Sequence, residues 1–203
     1  MNTTKKHFIF GYGSLINSAS RAVTGKTGNA IPARVKGYQR HWSVMSPEFG
    51  MSSVAVVAKE GHHCNGVLVE VPESELPSFD QREKGYKRSR VSVQHLSAYG
   101  DDNLPDGDIW IYHTEEIVDP HHHCPIALSY ADVILAGCIE HGEEFAQDFL
   151  ELTNGWQHPL LNDRQKPRYP RVQPTLKSQA FELNRLFASV DQVTQQHLQE
   201  NYQ

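Results

Sequence analysis

The apolar patterning of the chain begins with Phe8-Ile9-Phe10-Gly11-Tyr12-Gly13-Ser14-Leu15-Ile16. A short aromatic and β-branched run that stops on spaced glycines predicts a buried strand followed at once by a tight turn. Such a turn brings backbone close to a ligand and presents its N–H groups to an anion. A short helix beginning at the turn adds the positive end of its dipole. The plainer alternative is a turn that is glycine-rich for its own geometry. Two other chemistries fail on position. A nucleophile elbow needs glycine two residues before and two after its serine, and around Ser14 those places hold Tyr12 and Ile16. Ser20-Arg21-Ala22-Val23-Thr24-Gly25-Lys26-Thr27 ends like a phosphate-binding loop, but Ser20 stands where that motif needs glycine and no strand precedes it.

A second segment, Asp80-Gln81-Arg82-Glu83-Lys84-Gly85-Tyr86-Lys87-Arg88, sets a carboxylate among cations just before a strand-like run. A glutamate arriving at a site from elsewhere in the fold can move a proton. An exposed, ion-paired turn is the usual fate of such a charge run, and composition alone leaves both readings of Glu83 open.

Around these segments the first half reads as strands. Lys6 to Phe10, Ala33 to Met45, Ser53 to Ala58, Asn65 to Val71 (with Val67, Val69 and Val71 on one face), Tyr86 to Leu96 (with Val91 and Val93 together) and Ile109 to Tyr112 carry the β pattern. Pro72-Glu73-Ser74-Glu75-Leu76 starts a short helix that leads to Glu83. The second half reads as helices. Ser129-x-x-Asp132 resembles a capping box ahead of Val133, Ile134, Ala136 and Ile139, and Gly142 breaks that helix. Another helix spans about 143 to 152. A last one spans about 178 to 201, with Phe181, Leu183, Leu186, Phe187 and Val190 on its apolar face. Residues 156 to 174 form an arm rich in Pro, Arg and Asn, whose Arg164, Arg168 and Arg171 either attract an anionic substrate or sit solvated. Strands first and helices afterwards predict an α+β fold with a mainly antiparallel sheet or open barrel.

At 203 residues and a net charge of -5 the chain suits one domain, 1-203, and nothing in it favours nucleic acid. No apolar run approaches the roughly 18 residues of a membrane span, and the basic start leads into too short an apolar run for a signal peptide. Cys64, Cys124 and Cys138 are odd in number and lack zinc-like spacing, so a reducing, cytoplasmic setting is expected. The runs His62-His63-Cys64 and His121-His122-His123-Cys124 set ligand types side by side, where consecutive side chains splay apart. Solvated loops fit them better than a metal site.

The order of four motifs carries a family resemblance. They are the strand with Phe10-Gly11-Tyr12-Gly13-Ser14-Leu15-Ile16, then Arg34-x-x-Gly37-Tyr38-x-Arg40, then Asn65-Gly66-Val67, then Asp80-x-Arg82-Glu83-x-x-Tyr86-x-Arg88-x-x-Val91. Together they resemble the γ-glutamylcyclotransferase superfamily over about residues 8 to 95, more weakly to the helix at 130 to 142. The Tyr-Gly-Ser-Leu form is closer to its ChaC-type members, which act on glutathione. The resemblance implies a small mixed, mainly antiparallel β-barrel surrounded by helices, with 156-203 as a C-terminal arm and helix outside the familiar core. It implies no cofactor and no metal. It implies a small-molecule γ-glutamyl substrate, with Glu83 as acid/base and the loop Tyr12, Gly13, Ser14 and Leu15 binding the glutamyl end. Tyr86 is a lesser candidate for the pocket, and Arg88 is another. No partner macromolecule or membrane is implied, and the residues specify no oligomeric state. The main alternative is a non-catalytic module on the same fold that binds a γ-glutamyl or other anionic metabolite. A buried Glu83 facing the Tyr12 to Leu15 loop across an open pocket favours the enzyme. A Glu83 turned to solvent, or a pocket plugged by the arm, favours the module.

Overall fold

The computed structural model describes residues 5–24, 27–100, 103–171 and 179–191. The Gly25-Lys26 pair of the phosphate-loop-like segment and the last helix beyond residue 191 lie outside them. Strands β1 (His7–Gly11), β2 (Ala30–Ser43), β3 (Ser53–Val71), β4 (Lys87–Val91), β5 (Leu96–Ala98) and β6 (Asp108–His113) are followed by short pieces β7 (Ile126–Ala127), β8 (Thr153–Asn154) and β9 (Leu160–Leu161). The helices are α1 (Ser18–Ala22), α2 (Leu76–Arg82), α3 (Leu128–Glu140), α4 (Glu143–Glu151) and α5 (Ala180–Ala188).

The main sheet is mixed and mainly antiparallel, as expected, in the order β4-β6-β1-β3-β2-β5 with β8 added beside β2. Only β1–β6 and β2–β8 run parallel. Both faces of the sheet are apolar, which is why β1 is buried along its whole length. Phe8, Phe10, Ala33, Val35, Val56, Cys64, Leu68, Val91, Leu96, Ile109 and Ile111 form a cluster drawn from six strands and no helix. A sheet face that packs on itself is the inside of a strongly curled sheet. The opposite face, including Ile9, Val67, Val69 and Val71, packs under α3 and α4. Helix α3 is buried on every side from Ser129 to Cys138, because it lies between the sheet and the other helices.

Four local expectations change. The runs 53–58 and 65–71 are one strand, in which Lys36 pairs with His63 but Tyr38 with Ala58. Four residues of β3 therefore stand opposite Gly37, a bulge made possible by positive φ at Gly37 (86°) and Gly61 (78°). The polar residues that seemed to divide two strands are the exposed bulge. Next, the run 86–96 is not one strand. Ser92 accepts the N–H of Gln94 and turns the chain, so Val91 is buried while Val93 is 52% exposed. Third, Phe181 does not join the apolar face of α5, being 85% exposed. It sits two residues from Leu183, on the far side from the Leu183, Leu186 and Val190 stripe.

The fourth concerns Ser129 and Asp132, which make no capping box. The N-cap of α3 is Ala127, without a side-chain bond. Asp163 of the arm supplies the cap instead: its carboxylate accepts the Ser129 N–H at 2.8 Å and the Ser129 hydroxyl at 2.6 Å. Asp132 receives both Nε and Nη2 of Arg164 at 2.7 Å. The arm is thus fastened to α3 by two charged groups, helped by the parallel β7–β9 pairing just before it.

Deeper still, Arg40 is fully buried and hydrogen-bonds to neutral oxygens. Its guanidinium donates to the Asn65 backbone carbonyl (2.6 Å), Asn65 Oδ1 (2.7 Å), Thr153 Oγ1 (2.7 Å), the Phe149 carbonyl (3.2 Å) and the Tyr12 carbonyl (3.4 Å). It lies over the Phe149 ring at 3.9 Å. Asn65 in turn donates to the Phe145 carbonyl at 2.8 Å. Asn65→Ala strips the Oδ1 acceptor from a desolvated cation and removes the side-chain donor to the Phe145 carbonyl. We expect it to lower the unfolding free energy by about 2–4 kcal/mol, read from urea denaturation; a loss below about 0.5 kcal/mol would contradict this account.

Candidate active site

The glycine turn is held from three sides. A Cβ on Gly13 would lie 2.9 Å from Val54 Cγ2 and 3.0 Å from the Tyr130 hydroxyl, so only glycine lets the turn press against β3 and α3. At its root, a Cβ on Gly66 would stand 2.6 Å from the Gly11 carbonyl oxygen. Arg40 fixes the Tyr12 carbonyl from below. From Gly13 the chain enters a 3-10 turn, Ser14–Ile16, closed by Ile16 N–H to the Gly13 carbonyl at 2.9 Å. The N–H groups of the first residues of such a turn have no acceptor within it, so those of Ser14 and Leu15 are free of intrahelical bonds.

The acidic segment reaches the same place through α2. Glu83 ends that helix, its N–H bonded to the Phe79 carbonyl at 2.8 Å, and its own carbonyl accepts the Tyr86 N–H at 3.0 Å. Gly85, at φ 98°, makes the reversal. Arg82 stacks over Phe79 at 4.3 Å, donates to the Thr24 carbonyl at 3.1 Å, and brings Nε to 3.3 Å from Glu83 Oε1. The Glu83 side chain keeps 30% of its exposure. A chain of bonds then joins the two segments. The Tyr12 hydroxyl donates to the Tyr112 carbonyl (2.7 Å), the Tyr112 hydroxyl to Asp80 Oδ1 (2.7 Å), and Arg88 Nε lies 3.3 Å from the same oxygen. Arg88 is therefore spent on Asp80.

A cavity of about 330 Å³ opens between the segments. Tyr12, Gly13, Ser14, Leu15, Glu83 and Tyr86 all line it, so every residue singled out in the two segments as a site candidate, Arg88 excepted, borders one space. Burial pushes the phenols of Tyr12, Tyr86, Tyr112 and Tyr130 well above their ordinary range, and the nearby Glu83 charge adds to each shift. All four stay protonated at neutral pH and remain hydrogen-bond donors.

The sequence reading underrated the arm. Arg168, Tyr169, Pro170 and Arg171 form part of the cavity wall without filling it. Asp163 also accepts the Arg168 N–H at 2.7 Å, and the Ser129 hydroxyl accepts the Tyr169 N–H at 3.2 Å. Tyr169 is buried against Tyr130, ring centroids 4.8 Å apart. The signal was present in Pro167-Arg168-Tyr169-Pro170-Arg171, where two prolines stiffen a segment bearing an aromatic residue. Tyr130 and Arg40 were missed in their roles because those depend on contacts far apart in the chain. Among the described residues no three His, Cys, Asp or Glu side chains gather as a metal site requires. The three cysteines are buried and free.

A glycine turn facing a lone carboxylate across an open cavity defines a small-molecule site. The chain belongs to the "Gamma-glutamyl cyclotransferase, AIG2-like" family, which matches residues 9–130. Among solved structures it is similar to one titled "Gamma-glutamyl cyclotransferase", at 15% identity and a TM-score of 0.61, covering 86% of this chain and 99% of that one. A crystal structure of an uncharacterized human protein gives 16% identity and a TM-score of 0.59 over 86% and 98% of the two chains. YkqA from Bacillus subtilis gives 20% identity and 0.51 over 75% and 57%. No curated protein matches the sequence. At these identities the likeness is one of fold. Among the described residues no helix is long and apolar enough to cross a membrane.

The anchoring of the arm is testable by proteolysis. Asp163→Ala removes the acceptor shared by Ser129 and Arg168. Trypsin cleavage at Arg168 or Arg171 should then accelerate about tenfold or more, because cleavage tracks local opening. An unchanged digestion pattern would show that the arm is held elsewhere.

Proposed function

We propose that this chain cyclises a γ-glutamyl amide to 5-oxoproline and releases the amine. The observation that carries the reading is that Glu83 and the Tyr12 to Leu15 turn border one cavity, in a chain whose family is that of γ-glutamyl cyclotransferases. Such a substrate contains its own nucleophile. The α-amine closes a five-membered ring on the γ-carbonyl when the glutamyl chain is folded back, and holding that geometry replaces several kcal/mol of lost freedom. In this mechanism the N–H groups near Gly13, Ser14 and Leu15 take the α-carboxylate. Glu83 accepts a proton from the α-ammonium, and the amine adds to the γ-carbon. Glu83 then returns the proton to the amide nitrogen as the old C–N bond breaks, and the ring nitrogen sheds its second proton to the freed amine, which departs as an ammonium. Atoms balance without water, since the ring nitrogen replaces the departing one. In this reading the Tyr86 hydroxyl, held protonated by burial, positions the glutamyl chain. The Tyr-Gly-Ser-Leu form of the turn, which resembles ChaC-type members, supports glutathione as substrate, with γ-glutamyl amino acids and amines as the alternatives.

The non-catalytic reading loses support on one of its criteria, the plugged pocket, while Glu83 lies between the two readings. Glu83 is only partly exposed, and the arm borders the cavity rather than filling it. Glu83→Gln should keep the thermal transition of the wild type while 5-oxoproline release from glutathione and γ-glutamyl amino acids falls by about 10³-fold or more. Release at an undiminished rate would sink the assignment. Wild-type protein that binds these compounds without releasing 5-oxoproline would favour the binding module.

Gly13→Ala probes the turn separately. The added methyl meets Val54 and Tyr130, so we expect a stability loss of about 1–3 kcal/mol together with a raised KM. A KM equal to that of the wild type would remove the turn from substrate binding.

A further inference from the structure

We propose that the arm selects the leaving group: Arg168, Tyr169 and Arg171 bind a carboxylate on the released amine, so the preferred substrates are γ-glutamyl amino acids or peptides rather than γ-glutamyl amines without an acid. The inference rests on the γ-glutamyl reading of the same cavity.

Three observations lead to it. The first is charge. The cavity is bordered by Arg82, Lys84, Arg168 and Arg171 but by one carboxylate, Glu83, which Arg82 already approaches. The second is the way the arm distributes its arginines. Arg164, at the back, is neutralised by Asp132. Arg168 and Arg171, at the cavity, meet only neutral acceptors among the described residues: the Gly50 carbonyl for Arg168 and Thr24 Oγ1, at 3.0 Å, for Arg171. A guanidinium so placed keeps donors for a planar anion and matches a carboxylate in two-pronged fashion. The third is Tyr169. Its hydroxyl is buried and has no hydrogen-bond partner among the described residues, although the residue borders the cavity. Buried hydroxyls are almost always bonded, so an orphan in a site wall marks a group that a ligand satisfies.

Geometry assigns these groups to the leaving side. The turn takes the α-carboxylate and Glu83 the transferred proton; with Arg82 beside Glu83 and Lys84 exposed, the arm is the charged wall not yet used. A γ-glutamyl amino acid brings a second carboxylate there, whereas a γ-glutamyl amine brings a neutral or cationic group toward two arginines.

The test uses γ-glutamylalanine and γ-glutamylalaninamide, which differ only in that carboxylate. Their affinities for full-length Glu83→Gln protein are measured by calorimetry, and 5-oxoproline release by the wild type is followed in parallel. We expect the acid to bind about tenfold or more tightly than the amide. Adding Arg171→Gln or Tyr169→Phe should shrink that ratio, and Arg171→Lys should restore part of it. Equal affinities for acid and amide overturn the proposal. So does a ratio that survives Arg171→Gln and Arg168→Gln together, since the arginines would then serve the α-carboxylate common to both ligands. Should an arginine variant fail to fold, the ratio for the parent protein decides alone. Preference for the acid in binding without any 5-oxoproline release would overturn the cyclotransferase reading and leave this one standing.

Discussion

Much of this structure depends on one buried cation. Removing a guanidinium from water costs several kcal/mol even after relaxation, and Arg40 recovers that cost from oxygens belonging to separate parts of the chain. Its acceptors come from the turn after β1, from Asn65 on β3, from the end of α4 and from β8. No single one would suffice, so all must be in place at once. That requirement turns a loose association of strand, turn and helix into a fixed geometry. It also explains why the turn that borders the cavity is rigid although it contains two glycines: its carbonyl is tied from below, and its Gly13 is wedged between Val54 and Tyr130.

A second charged group works the other way around. The Asp163 carboxylate is buried at the start of α3, where the helix dipole and free N–H groups favour an anion. Because Asp163 belongs to the arm, satisfying the helix end also brings Arg168, Tyr169 and Arg171 to the cavity. Helix capping and construction of the site wall are one event. The pair Arg164–Asp132 repeats the attachment one turn further along α3, and the two contacts make the arm's course a property of the fold rather than of loop chance.

The sequence disclosed the parts of the fold that are local. Strands β1 and β2, the entry of α2 and the break at Gly142 follow from patterning and backbone preference near each residue. It misled where one residue type serves two purposes. Ser129 and Asp132 have capping spacing, yet Asp163 was available from afar and a carboxylate is the stronger acceptor for helix N–H groups, so the local box lost. Lys59 to His62 looked like an interruption because a bulge and a loop have the same polar composition. Within the site, the turn and Glu83 were legible as motifs. Their meeting was not, since it is made by Tyr12, Tyr112, Asp80 and Arg88 across β6. The arm was least legible, because an arginine that pairs with Asp132 and one that borders a cavity read alike.

The tyrosines around the cavity complete the electrostatic argument. A site for a doubly carboxylated substrate needs many donors and few fixed negative charges, because each extra anion would repel the ligand in a medium that screens poorly. Serine and backbone N–H groups meet that need, but so does a phenol, provided it stays protonated. Burial and the Glu83 charge push Tyr12, Tyr86, Tyr112 and Tyr130 upward together. The wall therefore adds no charge anywhere near neutral pH, although the Tyr12 and Tyr112 hydroxyls are already bonded to the Tyr112 carbonyl and Asp80. Among the described residues Glu83 is the only carboxylate that borders the cavity, set among cations and neutral donors. One carboxylate in such surroundings suits the proposed proton transfer from the attacking amine to the departing one, since no second carboxylate among the described residues borders the cavity to compete for it.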